Sequence, residues 1–262
     1  MPVASSRSAG QDGDQIMGST GVSVSVRGLR KAFGSQAVLA GLDLEVHVGE
    51  VFVLMGPSGA GKSVLLRHLI GLERPDAGEI RVGDRPVDDS IRDAFRLAMV
   101  FQSGGLLNSL TVGENVGLYL EEHRLASRED RERIVREKLA LVGLDESIIS
   151  KLPAELSGGM RKRVAIARAL TMDPQLVLFD EPTSELDPLV AATVGQEIVA
   201  LNRRLGATTV VVTHDRDLAF GVAHRLGFLA DGRLLALGTP AEIRKHPDPL
   251  LRRFLNAEFA PA

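Results

Sequence analysis

Apolar residues follow two different patterns along this chain, and each predicts a different kind of element. Val22, Val24 and Val26 alternate with Ser23 and Ser25. Leu42, Leu44, Val46 and Val48 alternate with Asp43, Glu45 and His47. A period of two is that of a strand with one wet face, so both stretches read as antiparallel strands. VFVLM (51–55) is instead continuously apolar, as in a strand buried on both faces of a parallel sheet. LAMVF (97–101), LVLF (176–179), TTVVVT (208–213) and RLGFLA (225–230) read the same way.

The helical stretches complete an α/β pattern. VLLRHLIGL (64–72) follows a Gly-rich loop, and the segment between Phe101 and Leu176 reads as mostly helical. Within it, Ser127 and Asp130 predict a capping box for a helix over 128–143, with Ile134, Val135, Leu139 and Val142 as its apolar stripe. Leu189 to Leu205 reads as a further helix, and Asp231-Gly232 as a hairpin turn. Residues 1–20 are small, polar and Gly/Ser-rich, and read as a disordered tail.

Composition narrows the possible functions. The 262 residues carry a net charge of −3, which gives no support for a nucleic-acid partner. With no cysteine, disulfides, zinc-thiolate sites and cysteine nucleophiles are excluded. No apolar run is long enough to cross a bilayer, and the N-terminus lacks the apolar stretch of a signal peptide. A membrane role is therefore expected to come through a partner.

Three motifs carry chemistry. GPSGAGKS, residues Gly56, Pro57, Ser58, Gly59, Ala60, Gly61, Lys62 and Ser63, matches a phosphate-binding loop, with Val64 opening the helix behind it. Its glycines let backbone N–H groups close around phosphate oxygens, Lys62 reaches the β- and γ-phosphates, and the Ser63 hydroxyl is a magnesium ligand. LVLFDE delivers Asp180 and Glu181 at the end of a buried strand, where α/β sheets bind ligands. Asp180 is expected to hold the magnesium shell and Glu181 to activate water as general base. Taken alone, the pair could equally be two surface acids after a core strand.

LSGGM (156–160) opens a helix over 161–170. Ser157 is a good N-cap, and the plain reading is a flexible turn. However, Arg161, Lys162 and Arg163 crowd the positive end of that helix dipole, which makes better sense if an anion lies nearby. Ser157, Gly158 and Gly159 would then grip the nucleotide of a second copy.

In this order, phosphate loop, LSGG, strand-DE and strand-His resemble the ABC transporter ATPases over roughly residues 22–240. The resemblance implies an α/β P-loop NTPase fold with a mainly parallel core, an N-terminal antiparallel β-subdomain, a helical subdomain near 104–172 and a helical tail over 241–262. It also implies that ATP and Mg2+ are bound between two copies of the chain. Further roles follow from the same likeness. Phe33 stacks on adenine, with a core Phe as the alternative. Gln102 contacts magnesium and water and couples to the membrane partner. Asp187 lies in the dimer contact, although Asp187-Pro188 is also an ideal helix start. His214 meets the γ-phosphate. Two positions depart from the family pattern: Glu185 stands where Gly or Ala is usual, and Met160 where Gln is usual.

FQSGGLLNSLTVGENV (101–116), ELSGGMRKRVAIARAL (155–170) and HPDPLLRRFL (246–255) are similar to phospholipid-transport ATPases of the Mla and Mce type. That branch implies a multi-spanning permease, a lipid-binding periplasmic component, in some cases a small regulatory protein, and a place on the cytoplasmic face of the inner membrane. An importer subunit for amino acids or another small polar solute is the alternative within transporters. An ATP-gated clamp on nucleic acid or ribosomes, and a nucleotide-binding subunit without hydrolysis, are the alternatives outside them. The clamps carry long coiled-coil insertions that this chain lacks.

Overall fold

The computed structural model describes residues 21–256, so the expected tail over 1–20 and the end of the C-terminal tail lie outside the described residues. In chain order the elements are β1 (Val24–Phe33), β2 (Gln36–Val46), β3 (Val51–Met55), α1 (Lys62–Leu69), β4 (Ala77–Val82), β5 (Arg85–Pro86), α2 (Ile91–Ala94), β6 (Leu97–Val100), α3 (Val112–Glu122), α4 (Arg128–Leu141), α5 (Gly158–Leu170), β7 (Leu176–Asp180), α6 (Pro188–Leu205), β8 (Thr208–Thr213), α7 (Arg216–Val222), β9 (Arg225–Ala230), β10 (Arg233–Gly238), α8 (Pro240–Lys245) and α9 (Pro249–Leu255).

They form two sheets. The smaller is antiparallel, in the order β2-β1-β4-β5, and the larger runs β10-β9-β3-β8-β7-β6. In the larger sheet every pairing from β9 to β6 is parallel, and only β10 is antiparallel. The β9–β10 hairpin turns at Asp231 and Gly232, both with positive φ, as the two-residue turn predicted from sequence requires.

The continuous apolar strands have their physical reason here, because two cores flank the large sheet. Val51, Val53, Met55, Val177, Phe179 and Val211 face one core, shared with α3 to α7. Phe52, Leu54, Leu176, Leu178, Val210 and Val212 face the other, shared with the small sheet and α1. Successive side chains point to opposite faces, and neither face is wet.

Three local expectations are corrected. The helix after the phosphate loop begins at Lys62 and stops at Leu69, where Ile70 and Gly71 turn the chain, so it does not run to Leu72. The capping box at Ser127 is half formed. Ser127 Oγ accepts from the Asp130 N–H, but the Asp130 carboxylate reaches back only to the Ser127 hydroxyl. Aspartate is one methylene shorter than the Glu or Gln that closes such a box. Ile134 is half-buried, while Val135, Leu139 and Val142 are fully packed. A complete box sits instead at Thr111 and Glu114 at the start of α3.

Candidate functional site

Register brings the three chemical motifs to one level. β8 lies between β3 and β7, with Met55 opposite Thr213 and Asp180 opposite Val212. The residues that follow these strands therefore leave the sheet side by side at its C-terminal edge. The phosphate loop comes from β3, Glu181 from β7 and His214 from β8.

The loop's shape depends on glycine at two positions in particular. A Cβ on Gly56 would lie 2.1 Å from the Leu229 carbonyl oxygen, and Gly61 has φ 102° with the Leu39 side chain 2.9 Å from where a Cβ would stand. Gly61 caps α1 without any side-chain cap, so the first N–H groups of α1 remain available to an external acceptor. Lys62, 6% exposed, curls over the loop and donates to the carbonyls of Gly56 at 2.8 Å and Pro57 at 3.1 Å. Its ammonium lies 3.5 Å from Glu181 Oε1. Ser58, Gly59 and Ala60 form the turn between these anchors, and Val64 packs against the apolar core behind the loop.

The two acids of β7 are differently placed. Asp180 Oδ1 accepts from Ser63 Oγ at 2.8 Å. Burial pushes the Asp180 carboxyl above its ordinary range, and the Ser63 hydrogen bond partly opposes that shift. A hydroxyl and a carboxylate held side by side are hard oxygen donors of the kind magnesium takes. Among the described residues no three acidic or imidazole side chains could hold a metal alone, so the remaining ligands would be phosphate oxygens and water. Glu181 Oε2 accepts from Thr213 Oγ1 at 3.1 Å, from the His214 backbone N–H at 3.2 Å, and from His214 Nδ1 at 2.9 Å. The backbone of Glu181 has φ 48°, a left-handed conformation unusual for a residue that carries a Cβ. The His214 ring is more than half exposed. Beyond it opens a polar cleft of about 340 Å³ lined by Thr183, Ser184, Glu185 and Asp215 to Asp217.

Lys62, Ser63, Asp180, Glu181 and His214 are thus brought together with the phosphate loop, and Gln102 is linked to Glu181 through the Lys162 ammonium. Phe33 ends β1 and is 46% exposed, with the Lys31 ammonium 5.3 Å from its ring centre. That exposure removes the alternative of a core Phe. Gln102 is exposed, and its backbone carbonyl accepts from the Lys162 ammonium. Asp187 caps α6, accepting from the N–H groups of Leu189 at 3.0 Å and Val190 at 3.1 Å.

Ser157 caps α5 through the Met160 N–H. A Cβ on Gly159 would lie 2.5 Å from Val190 on α6, so packing within the chain requires that glycine; Gly158 has ordinary space.

The basic cluster after LSGG needs a different explanation from the one its sequence suggests. Arg161 donates to the Leu156 carbonyl and Arg163 to that of Gly143, while Lys162 points inward. All three cations have acceptors inside the chain, so the crowding does not by itself call for an external anion. Sequence reasoning also missed Thr213 and Ser184. Thr213 had one signal, a polar residue ending a buried strand, whereas Ser184 had none.

A family model described as "ABC transporter" matches residues 39–184. The "Probable ribonucleotide transport ATP-binding protein mkl" of Mycobacterium bovis is 42% identical over 243 residues, covering 90% of this chain and 67% of that protein. The "sn-glycerol-3-phosphate import ATP-binding protein UgpC 1" of Rhizobium johnstonii is 42% identical over 224 residues, covering 86% of this chain and 60% of that one. Among solved structures, the dimeric post-hydrolysis state of the ATP-binding cassette MJ0796 bound to ADP and Pi matches with a TM-score of 0.76 at 33% identity, covering 83% of this chain and 98% of that one.

Proposed function

The chain belongs to the ABC transporter family, as an ATP-binding subunit that hydrolyses ATP, and from that premise we propose how its residues divide the work and what the transporter carries. The observation that carries the proposal is the convergence of Lys62, Ser63, Asp180, Glu181 and His214 at the ends of three adjacent strands. Lys62 and the N–H groups of residues 58–64 hold the β- and γ-phosphates. Ser63 and Asp180 hold magnesium, with Gln102 completing its surroundings. Bound magnesium neutralises charge on the phosphate oxygens.

Glu181 orients a water and takes its proton as the water oxygen bonds to the γ-phosphorus. The bond from that phosphorus to the bridging oxygen breaks, and ADP leaves. His214 contacts the γ-phosphate and steadies the Glu181 carboxylate. Phe33 stacks on adenine. Each ATP is closed over by Ser157, Gly158 and Gly159 of a second copy, with Asp187 in the contact between copies. Glu181→Gln is expected to keep ATP affinity while hydrolysis falls by about 10²–10⁴-fold. Undiminished phosphate release, measured beside equilibrium nucleotide binding, would remove Glu181 from this role.

Among the described residues no helix is long and apolar enough to cross a membrane. We propose that a separate permease carries the substrate and holds this subunit at the cytoplasmic face of the inner membrane. A lipid-binding periplasmic component and a small regulatory subunit fit the same assembly. The substrate is proposed to be phospholipid, on the likeness of residues 101–116, 155–170 and 246–255 to the Mla and Mce type. A small polar solute is the second reading, favoured by relatives named for import of sn-glycerol-3-phosphate and Fe(3+). The complex purified from membranes separates the two. Co-purifying phospholipid seen by mass spectrometry, together with ATPase activity stimulated by phospholipid vesicles, is the expected result. A lipid-free complex stimulated only by a soluble solute would favour the second reading.

A further inference from the structure

We infer that Lys162 is a positioning residue for hydrolysis: its buried ammonium ties the backbone at Gln102 to the backbone of Glu181 and keeps that carboxylate in place for attack. The inference rests on the proposed role of Glu181 as base.

Lys162 stands in the second turn of the described helix α5 and is 7% exposed. A lysine is buried this deeply only when its charge finds partners. Its ammonium has three N–H bonds and three acceptors. These are the carbonyl of Gln102, the carbonyl of Glu181 at 3.3 Å and Ser184 Oγ at 3.4 Å. The acceptors come from two segments: the chain after β6, and the turn between β7 and α6 that holds both Glu181 and Ser184. Burial pushes the Lys162 ammonium below its ordinary pKa, and the charges of Glu185, Asp180 and Glu181 push back.

The Glu181 carbonyl is the centre of this arrangement. Besides Lys162 it accepts from Ser184 Oγ at 2.9 Å and the Ser184 N–H at 3.2 Å, while the Glu181 N–H donates to Val212 on β8 at 2.9 Å. These bonds hold a residue at φ 48°, a conformation that persists only where its surroundings over-determine it. The carboxylate direction is set by that backbone. The Val212 bond ties this backbone to the neighbouring strand β8, and Lys162 ties it to the segment bearing Gln102. Movement of that segment is thereby felt at the base, and displacing a reacting group by about 1 Å costs on the order of 10²-fold in rate.

The test uses the full chain and four variants. Lys162→Met removes all three donors, and Lys162→Arg keeps a cation of similar reach. Lys162→Gln keeps a shorter pair of donors and serves if the Met variant cannot be purified. Glu181→Gln reports on the underlying reading. Thermal unfolding confirms folding, equilibrium binding of a fluorescent ATP analogue gives Kd, and phosphate release gives kcat. Expected for Lys162→Met is a kcat about 10–100-fold lower with Kd unchanged within about twofold. Lys162→Arg is expected to recover most of the loss, and Lys162→Gln to lie between. A folded Met variant with wild-type kcat overturns the inference. So does a parallel loss of affinity and turnover, the mark of a loosened fold, or an Arg variant no better than the Met one. If Glu181→Gln still turns over, the base assignment fails instead. If Glu181→Gln is inactive and Lys162→Met is normal, only the positioning role fails.

Discussion

At the scale of single residues, buried charge without full pairing sets the sharpest expectation. Glu197 on α6 lies 3.9 Å from Arg163 on α5, and its Oε2 and the Arg163 Nε find no hydrogen-bond partner among the described residues. Burial lifts the Glu197 carboxyl from 4.5 to about 7, with Arg163 pulling the other way. The folded chain therefore binds this proton more tightly than the unfolded chain does. Between pH 4.5 and pH 7 the unfolding free energy contributed by Glu197 falls as pH rises, and above pH 7 the loss is complete. Glu197→Gln carries no such titration. With the amide standing in for the neutral acid, its stability relative to the wild type should be about 1 kcal/mol at pH 5 and rise to about 3 kcal/mol at pH 8. Urea unfolding of both proteins at the two pH values checks this, and a difference that does not change with pH contradicts it. None of this was legible in the sequence, where Arg163 read as part of a cationic cluster. Helical periodicity states which face a residue occupies but not which neighbour it meets. Lys162 was hidden for the same reason.

At the scale of elements the sequence said much more. TTVVVT and RLGFLA became β8 and β9 without a residue gained or lost, because a strand buried on both faces leaves its mark at every position. Helix ends were less legible. They are decided by caps and turns that compete over one or two residues, as the early stop of α1 at Leu69 shows. The start of α6 is the instructive case, since Asp187-Pro188 signals both a cap and a dimer contact. The cap is formed in the structure. Asp187→Ala is expected to destabilise the chain by about 1 kcal/mol in urea unfolding, and Asp187→Ser to restore most of that loss. If Asp187 also meets the second copy, the Ser variant will regain stability without regaining full ATPase activity. Stability and activity recovering together would leave capping as its whole function. Glu185, two residues earlier, stands at φ 65°, a left-handed conformation that glycine takes without strain and a residue with a Cβ does not.

At the scale of the whole molecule, strand order decided what the motifs could become. Sequence spacing put Lys62 and Glu181 more than a hundred residues apart, and nothing in it showed that β8 would separate β3 from β7 and bring His214 between them. In the LSGG segment, Ser157 is bonded to its own helix and Gly159 is packed on Val190. The proposed function has this loop close over a nucleotide held by another copy. This makes a prediction that a self-sufficient chain could not satisfy. Lys62→Ala spoils the phosphate loop and Ser157→Phe obstructs the signature loop, so each variant alone should be inactive in both sites of its own dimer. Mixed, they form dimers in which the intact phosphate loop of the Ser157 variant faces the intact signature loop of the Lys62 variant. Random pairing makes half the dimers mixed, each with one whole site, so phosphate release should return to about a quarter of the wild-type rate if the two sites act independently. A mixture that stays inactive, although cross-linking shows mixed dimers, would mean that both sites must be whole. A Ser157→Phe protein with full activity on its own would instead locate the entire reaction within one chain.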